Sequence, residues 1–295
     1  MKSRWLEKTA AVLCALCLAV GVMSGVVFAR DEGDDSASGE IALPEATFVI
    51  VDEASEEAGE TTPEITDNRN VLPLSVNGQS VCTCVLVDGV PFASPGEIFE
   101  ALGAEDVSLK AEIGADYFVC NGRYFYVDGG IPSVGGQMRL PVEQLAKCLG
   151  VTAVWDRVQW TMSIEAETYS LPESGDTYYD ETDLYWLSRV IYAEAGNQSL
   201  EGQIGVGNVV LHRLEREEFA GQDTVYDVIF AKNQFDVVAN GMIYMEPSES
   251  AVIAAKIALE GCDVVSGATY FATFDFGEGY ECVLWIGDHC FMTAA

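Results

Sequence analysis

Glu194 is the residue whose type and position point most directly to chemistry. The segment ETDLYWLSRVIYAEAG, residues 181–196, places apolar side chains on one face of a helix. That face is formed by Leu184, Leu187 and Ile191, and three residues further along it reaches Glu194. The spacing therefore predicts a carboxyl group in the last turn of the helix, on the side that faces protein.

The predicted position of Glu194 favours the protonated carboxylic acid. Apolar surroundings and the negative end of the helix dipole both disfavour the carboxylate anion, so we expect a raised pKa. A carboxylic acid that stays neutral near pH 7 can protonate a leaving oxygen, as general acids do in glycosidic bond cleavage. The alternative is a structural residue that reaches solvent at the helix end or pairs with a buried cation such as Arg213.

The helices around this glutamate have recognisable ends. Asp180 or Thr182 is a suitable N-cap for the first helix, and Gly196 is a suitable C-cap. Ser199 is the predicted N-cap of the second helix, and Ser248 that of an Ala-rich packing helix near the C-terminus. The second half of the chain is therefore predicted to be mainly helical.

Six further residues in this half have side chains suited to binding a sugar. Carboxylates, amides and imidazoles hydrogen-bond hydroxyl groups, and aromatic rings stack on sugar faces. Five of them also have a structural alternative: a helix cap for the glutamate, core packing for the aromatic residues, and hydrogen-bonded structural rings for the chain's two histidines. The candidates are Glu201, Gln203, His212, Phe235, Tyr270 and His289.

Four segments of this half follow one another in a recognisable order: LYWLSRVIYAEAGNQSLEGQIGVGNVVLHRL, TVYDVIFAKNQFDVVANGMIY, AAKIALEGCDVVSGATYFAT and ECVLWIGDHCF. Over about residues 182–292 they resemble the spore cortex-lytic enzyme and cell wall hydrolase family of the SleB type. The resemblance implies a lysozyme-like domain over residues 182–295 that cleaves the glycan strand of peptidoglycan, with Glu194 as the essential acid.

The family resemblance also implies how the bond is broken. It indicates a lytic transglycosylase or a muramidase-type hydrolase in which a single glutamate serves as acid and then as base, without the second carboxylate of water-using glycosidases. Two features depart from the family pattern. Asn197 and Gln198 occupy positions where many members have Gly-Glu, so any role of that glutamate is lost or passes to Glu201, and His212 replaces the usual asparagine.

The first half of the chain has a different pattern. Residues 72–165 contain short apolar runs interrupted by Gly, Pro and Asn, with hairpin signals at Asn77-Gly78 and Asn121-Gly122. Two short helices, each starting near a proline and ending in Leu-Gly, interrupt these runs. The pattern resembles the copper amine oxidase-like N-terminal domain of exported bacterial proteins, and we expect a stalk or wall-associating module. The segment has no histidine, so we predict no copper site.

The N-terminal region predicts export. Basic residues precede an apolar run from Thr9 to Phe28, so residues 1–29 are either a cleaved signal peptide or an uncleaved membrane anchor. Residues 30–71 are predicted to be an acidic linker and residues 166–181 a second linker. We therefore expect a secreted or extracytoplasmic, cell wall associated protein.

Charge and cysteine content limit the partners. The chain has 15 basic and 47 acidic residues, a formal net charge of −32, which repels phosphate backbones and excludes nucleic acid as a partner. The cysteine and histidine spacing matches no metal module, so we predict no metal and no cofactor. An exported chain keeps disulfides, and Cys282 and Cys290 are predicted to bond each other or Cys262.

The sequence thus predicts an α+β protein, with a β-rich N-terminal module and a mainly helical, lysozyme-like C-terminal domain that contains a small antiparallel sheet. Its predicted partner is peptidoglycan. Two alternatives to glycan cleavage stay open at this point. One is a peptidoglycan-binding protein that keeps the hydrolase fold without catalysis, and the other is an amidase or peptidase.

Overall fold

The computed structural model describes residues 70–166, 169–170 and 172–295. The predicted signal peptide or anchor and nearly all of the acidic linker lie outside the described residues. In the described part of the chain, no helix has both the length and the apolar character needed to cross a membrane.

The first half of the described chain is built mainly from short strands. Its strands and helices are β1 (Val71–Val76), β2 (Gln79–Val87), β3 (Val90–Ala93), α1 (Pro95–Leu102), β4 (Leu109–Lys110), β5 (Tyr117–Cys120), β6 (Arg123–Tyr126), β7 (Ser133–Val134), β8 (Gln137–Met138), β9 (Leu140–Pro141), α2 (Val142–Cys148), β10 (Thr152–Asp156) and β11 (Thr161–Glu165).

Six of these strands form the main sheet, in the order β10-β11-β1-β2-β3-β9. Both predicted hairpins are confirmed: Asn77 and Asn121 have φ values of 51° and 51°, and the glycine after each also has positive φ. Such two-residue turns suit the twist of antiparallel strands. The pairing of β1 with β11 is parallel, with Leu74 opposite Met162, so the ends of this half meet in the middle of the sheet.

The two predicted helices of the first half are also confirmed. α1 has proline in its first turn and ends at Gly103, which adopts the left-handed conformation with φ of 67°. α2 follows Pro141, and Gly150 has φ of 66° just beyond its end. Glycine adopts this conformation without the steric cost that a Cβ would impose.

The second half is mainly helical and ends in a three-stranded antiparallel sheet with the order β12-β14-β13. Two 3-10 turns, Glu217–Phe219 and Met242–Tyr244, connect its helices. The elements are α3 (Gly175–Tyr178), α4 (Glu181–Ala195), α5 (Leu200–Glu215), α6 (Val225–Phe230), α7 (Asp236–Ala239), α8 (Glu249–Leu259), β12 (Tyr270–Ala272), β13 (Tyr280–Ile286) and β14 (His289–Ala294). The predicted α+β class, β-rich first and helical later with a small antiparallel sheet, is confirmed.

The helix N-caps in this half match the sequence predictions. The Asp180 carboxylate accepts hydrogen bonds from two backbone N–H groups at the start of α4. The Ser199 and Ser248 hydroxyls do the same for one N–H each at the starts of α5 and α8. These bonds satisfy donors that the first turn of a helix leaves free.

Two hydrophobic cores hold the described chain together. The first includes Leu74, Phe118 and Met162, and the second includes Ile191 and Phe291. Gly205 allows α5 to approach the terminal sheet closely. A Cβ at this position would lie 2.7 Å from the ring of Phe291. All described residues belong to one compact unit.

Two disulfides lie within the described residues. Cys282 bonds Cys290 across β13 and β14, so the first of the two predicted alternatives is the correct one. A second disulfide, between Cys120 and Cys148, joins the end of β5 to the end of α2 and was not predicted. The described cysteines without a disulfide are Cys82, Cys84 and Cys262.

Candidate functional site

Glu194 lies in the last turn of α4, on the wall of an open cleft. The cleft has a volume of about 290 Å³, and its lining includes both polar backbone at the end of the helix and thioether side chains from the segment after α7. Its lining residues are Tyr192, Ala193, Glu194, Gly196, Asn197, Met242 and Met245. The predicted helix therefore delivers a carboxyl group to a space where a ligand can reach it.

Burial raises the pKa of Glu194 from 4.5 to about 7. Loss of solvent is the largest cause, the negative charge of Asp236 adds to it, and the positive charge of Arg213 opposes it. The predicted raised pKa is therefore confirmed. Near neutral pH the side chain is divided between the acid and the carboxylate, so it can both give and take a proton.

Asp236 is a component of the site that the sequence analysis did not identify. It is the first residue of α7, its side chain is exposed, and its charge acts on Glu194 from a different segment of the chain. A carboxylate at a helix N-terminus is favoured by the dipole, so the local sequence gives it a structural explanation. Only the tertiary fold brings it near Glu194.

Arg213 is buried close to the site but does not pair with Glu194. Its Nε donates to the backbone carbonyl of Thr269 at 2.8 Å and its Nη1 to Oε1 of Gln234 at 3.0 Å. Within the described residues, Glu194 receives no hydrogen bond from it. Burial lowers the pKa of Arg213 to about 10. The structural alternative for Glu194, a buried ion pair with this arginine, is therefore not realised.

Phe235 and Tyr270 both face Arg213. The guanidinium carbon lies 5.1 Å from the ring centroid of Phe235 and 5.6 Å from that of Tyr270. Phe235 is buried at 6% exposure, whereas Tyr270 in β12 is half-buried. The structure thus brings these two candidates together on a cation that acts on Glu194 electrostatically.

Glu201 and Gln203 lie in different surroundings. Glu201, in the first turn of α5, has a pKa raised by burial and by the charges of Asp128 and Asp116, which belong to the first half of the chain. The amide of Gln203 is buried, donates to the Gln198 carbonyl at 2.9 Å and accepts from Ser250 at 3.1 Å. The structure therefore gives Gln203 partners within the protein.

The two histidines also differ. His212 has Nδ1 2.8 Å from the carbonyl oxygen of Ala268 and Nε2 3.3 Å from a carboxylate oxygen of Asp263, so both ring nitrogens have partners. His289 is buried with its ring 5.2 Å from that of Phe271, and its Nδ1 has no hydrogen bond partner. Burial lowers the pKa of His289, which favours the neutral ring.

Asn197 and Gln198, two residues that depart from the family pattern, lie in the turn directly after α4. Asn197 lines the cleft beside Glu194. The Gln198 amide donates to Oδ2 of Asp288 at 3.2 Å, and its Oε1 accepts from the Asp288 backbone N–H at 3.1 Å. Gln198 therefore joins the turn after α4 to the β13–β14 hairpin. The amide can do this because it both donates and accepts a hydrogen bond.

The site can supply proton transfer from one carboxyl group, in a cleft lined partly by Met242 and Met245, with the charge of Asp236 acting on that carboxyl group. Among the described residues, no three His, Cys, Asp or Glu side chains are grouped closely enough to hold a metal ion.

Comparisons with known proteins concern this half of the chain. Residues 197–292 match the Cell Wall Hydrolase family, and the match begins three residues after Glu194. The spore cortex-lytic enzyme of Halalkalibacterium halodurans is 40% identical over 93 residues, which are 32% of this chain and 28% of that protein. The spore cortex-lytic enzyme of Bacillus subtilis is 34% identical over 118 residues, 38% of each chain.

A solved structure resembles the same region. The catalytic domain of the Bacillus cereus SleB protein is 31% identical, with a TM-score of 0.36, and the alignment covers 39% of this chain and 92% of that domain. The chain spans only about a third of the length of these curated relatives. The resemblance of residues 72–165 to the copper amine oxidase-like domain stays a prediction. The C-terminal region of this chain is a cell wall hydrolase domain.

Proposed function

We propose that the protein cleaves the glycan strand of peptidoglycan and that Glu194 is its general acid and then its base. The observation that carries the proposal is the position of Glu194: a carboxyl group with a pKa of about 7, on the wall of an open cleft, at the end of a rigid helix. The cell wall hydrolase family match and the spore cortex-lytic relatives support peptidoglycan as the substrate.

The proposed reaction begins with proton donation. The protonated Glu194 gives its proton to the glycosidic oxygen between N-acetylmuramic acid and N-acetylglucosamine, and the bond from the muramoyl C1 to that oxygen breaks. The departing sugar keeps the oxygen as a hydroxyl group. Asp236 promotes this step because its negative charge favours the protonated form of Glu194.

The second step uses the same residue as a base. The Glu194 carboxylate takes the proton of the muramoyl C6 hydroxyl, whose oxygen bonds to C1 and leaves a 1,6-anhydro end. If water attacks instead, as in a muramidase, a reducing end results. One carboxyl group performs both proton transfers, and its protonated form is restored at the end of the cycle.

The roles of the surrounding residues belong to this proposal as well. Phe235 and Tyr270 both lie beside Arg213, whose positive charge acts on Glu194. The Phe271 ring lies between Phe235 and His289, and the Nδ1 of His289 has no hydrogen bond partner. For Glu201, Gln203 and His212, contacts with sugar stay predictions from the sequence.

Product analysis tests the proposed function. The protein is incubated with purified peptidoglycan and the released muropeptides are measured by mass. We expect fragments that end in anhydromuramic acid, lighter by one water than the reducing-end form. Reducing ends on N-acetylmuramic acid alone would identify a muramidase, free stem peptides would identify an amidase or peptidase, and binding without any soluble product would identify a non-catalytic wall-binding protein.

A further inference from the structure

Five aromatic side chains from α4, α6 and the 3-10 turn Met242–Tyr244 form one cluster at the protein surface. Trp186 is at its centre, with its ring centroid 4.9 Å from Tyr185, 5.4 Å from Tyr226, 5.0 Å from Phe230 and 6.3 Å from Tyr244. Tyr226 and Phe230 also stack on each other at 4.3 Å. We call these five residues the aromatic patch.

One side of the patch packs against the second core, and the other side is exposed to solvent. Trp186 and Phe230 are half-buried against the second core. The three tyrosines are exposed to solvent, Tyr185 by 46%, Tyr226 by 44% and Tyr244 by 63%. Exposed aromatic rings that rest on a packed tryptophan do not need to be ordered by a ligand, which lowers the entropic cost of binding.

The patch is continuous with the cleft of Glu194. Tyr244 lies between Met242 and Met245 in the chain, and both methionines line the cleft. On α4, Tyr185 precedes the cleft residue Tyr192 by seven residues, which is two helical turns and about 10 Å along the same face. A chain molecule held in the cleft therefore reaches the patch if it runs along α4.

The chemistry of the patch fits a neutral carbohydrate chain. Tyrosine offers a flat apolar face for a sugar ring and a hydroxyl group for hydrogen bonds at its edge. The ionisable groups beside it are mostly acidic: Asp183, Asp227 and Glu246, with Arg189 stacked 3.7 Å above the Tyr185 ring and paired to Glu246 at 2.9 Å. Such a surface disfavours anionic lipid headgroups.

We propose that the aromatic patch is a subsite for the glycan strand, which holds sugar residues about 14 Å along α4 from the bond at Glu194, nine residues beyond Tyr185. The proposal rests on the proposed function, because it takes the same strand as ligand. It predicts that long strands bind better than fragments that fill only the cleft, since only long strands reach both surfaces.

The test measures binding separately from cleavage. The full chain with Glu194→Gln is mixed with purified peptidoglycan sacculi, and the pelleted fraction is measured against sacculus concentration. Adding Tyr185→Ala and Tyr244→Ala is expected to weaken binding about tenfold, since each removes one stacking contact. Trp285→Ala is the control, because Trp285 is an exposed aromatic residue on β13, at 53%, that makes no ring contact with the patch.

The outcomes separate the patch from the catalytic proposal. A tenfold loss with an unchanged melting temperature and unchanged binding of Trp285→Ala supports the patch. Undiminished binding, or an equal loss in the control, overturns it whether or not the protein cleaves peptidoglycan. A loss of binding to phosphatidylglycerol vesicles without a loss on sacculi also overturns it, because the patch would then face a membrane. If the double variant melts earlier, Tyr244→Ala alone, at the most exposed of the three tyrosines, is expected to weaken binding about threefold.

Discussion

The guanidinium of Arg123 donates to both carboxylate oxygens of Glu260, at 2.8 and 2.6 Å, between the first core and the second. Arg123 belongs to β6 and Glu260 follows α8, and both are buried, at 5% and 4% exposure. The Tyr179 hydroxyl also donates to Glu260 at 3.0 Å, and the Tyr178 ring lies 3.8 Å from the guanidinium carbon. The two halves of the described chain therefore share a buried charged contact.

Removing Arg123 should destabilise the whole described unit. Arg123→Ala leaves the Glu260 carboxylate buried with only partial compensation, so we expect the free energy of unfolding to fall by about 3–5 kcal/mol in denaturant titrations. Glu246→Gln is the matched control, since Glu246 pairs with Arg189 but its side chain is 87% exposed, and its loss should cost less than about 1 kcal/mol. Equal effects of the two variants would contradict the distinction.

The Cys120–Cys148 disulfide should stabilise the folded protein by cross-linking two segments of its first half. It closes a loop with a sequence separation of 28, for which restriction of the unfolded chain is worth about 3–4 kcal/mol. We expect the double variant Cys120→Ala and Cys148→Ala to lower the melting temperature of the protein. Replacing Cys82 and Cys84, which form no disulfide, with alanine should lower the melting temperature less. A larger decrease for this control than for the Cys120 and Cys148 variant would contradict a stabilising disulfide.

Activity on peptidoglycan should fall as the pH rises through about 7, because the reaction needs protonated Glu194. The charge of Asp236 raises the pKa of Glu194, so Asp236→Asn should lower that pKa and move the alkaline limb of the kcat/KM profile to lower pH. The measurement is kcat/KM against pH for both proteins. An alkaline limb at the same pH in Asp236→Asn would show that Asp236 does not act on the catalytic acid.

The carboxylate form of Glu194 should destabilise the folded protein at high pH. Its pKa in the folded state, about 7, is above the ordinary 4.5, so between these values the folded state binds more protons than the unfolded state and stability falls as the pH rises. Glu194→Gln removes this cost. The variant should gain up to about 3 kcal/mol relative to the wild type between pH 4 and pH 8 in urea titrations. A difference that does not change with pH would contradict the raised pKa.

Local features of the fold were predictable from the sequence. The Asn-Gly hairpins, the Pro-started helices and the serine N-caps each depend on the conformational preferences of a few adjacent residues. The position of Glu194 on the buried side of α4 followed from helical periodicity for the same reason.

Contacts between distant segments were not predictable. The parallel pairing of β1 with β11, the Cys120–Cys148 disulfide and the charge of Asp236 beside Glu194 all join residues far apart in the chain. Nothing in the adjacent residues encodes such pairs. The Gln203 amide shows the same limit, because its bond to Ser250 joins α5 to α8 across 47 residues of the chain.

The most direct test of the central claim is the rate of muropeptide release by Glu194→Gln. Glutamine keeps the shape of the side chain but cannot transfer a proton, so we expect a loss of at least about a hundredfold in kcat. Glu215→Gln, an exposed glutamate at the end of α5, is the matched control and should keep the wild-type rate. Release by Glu194→Gln at a rate close to that of Glu215→Gln would contradict the assignment of Glu194 as the catalytic acid.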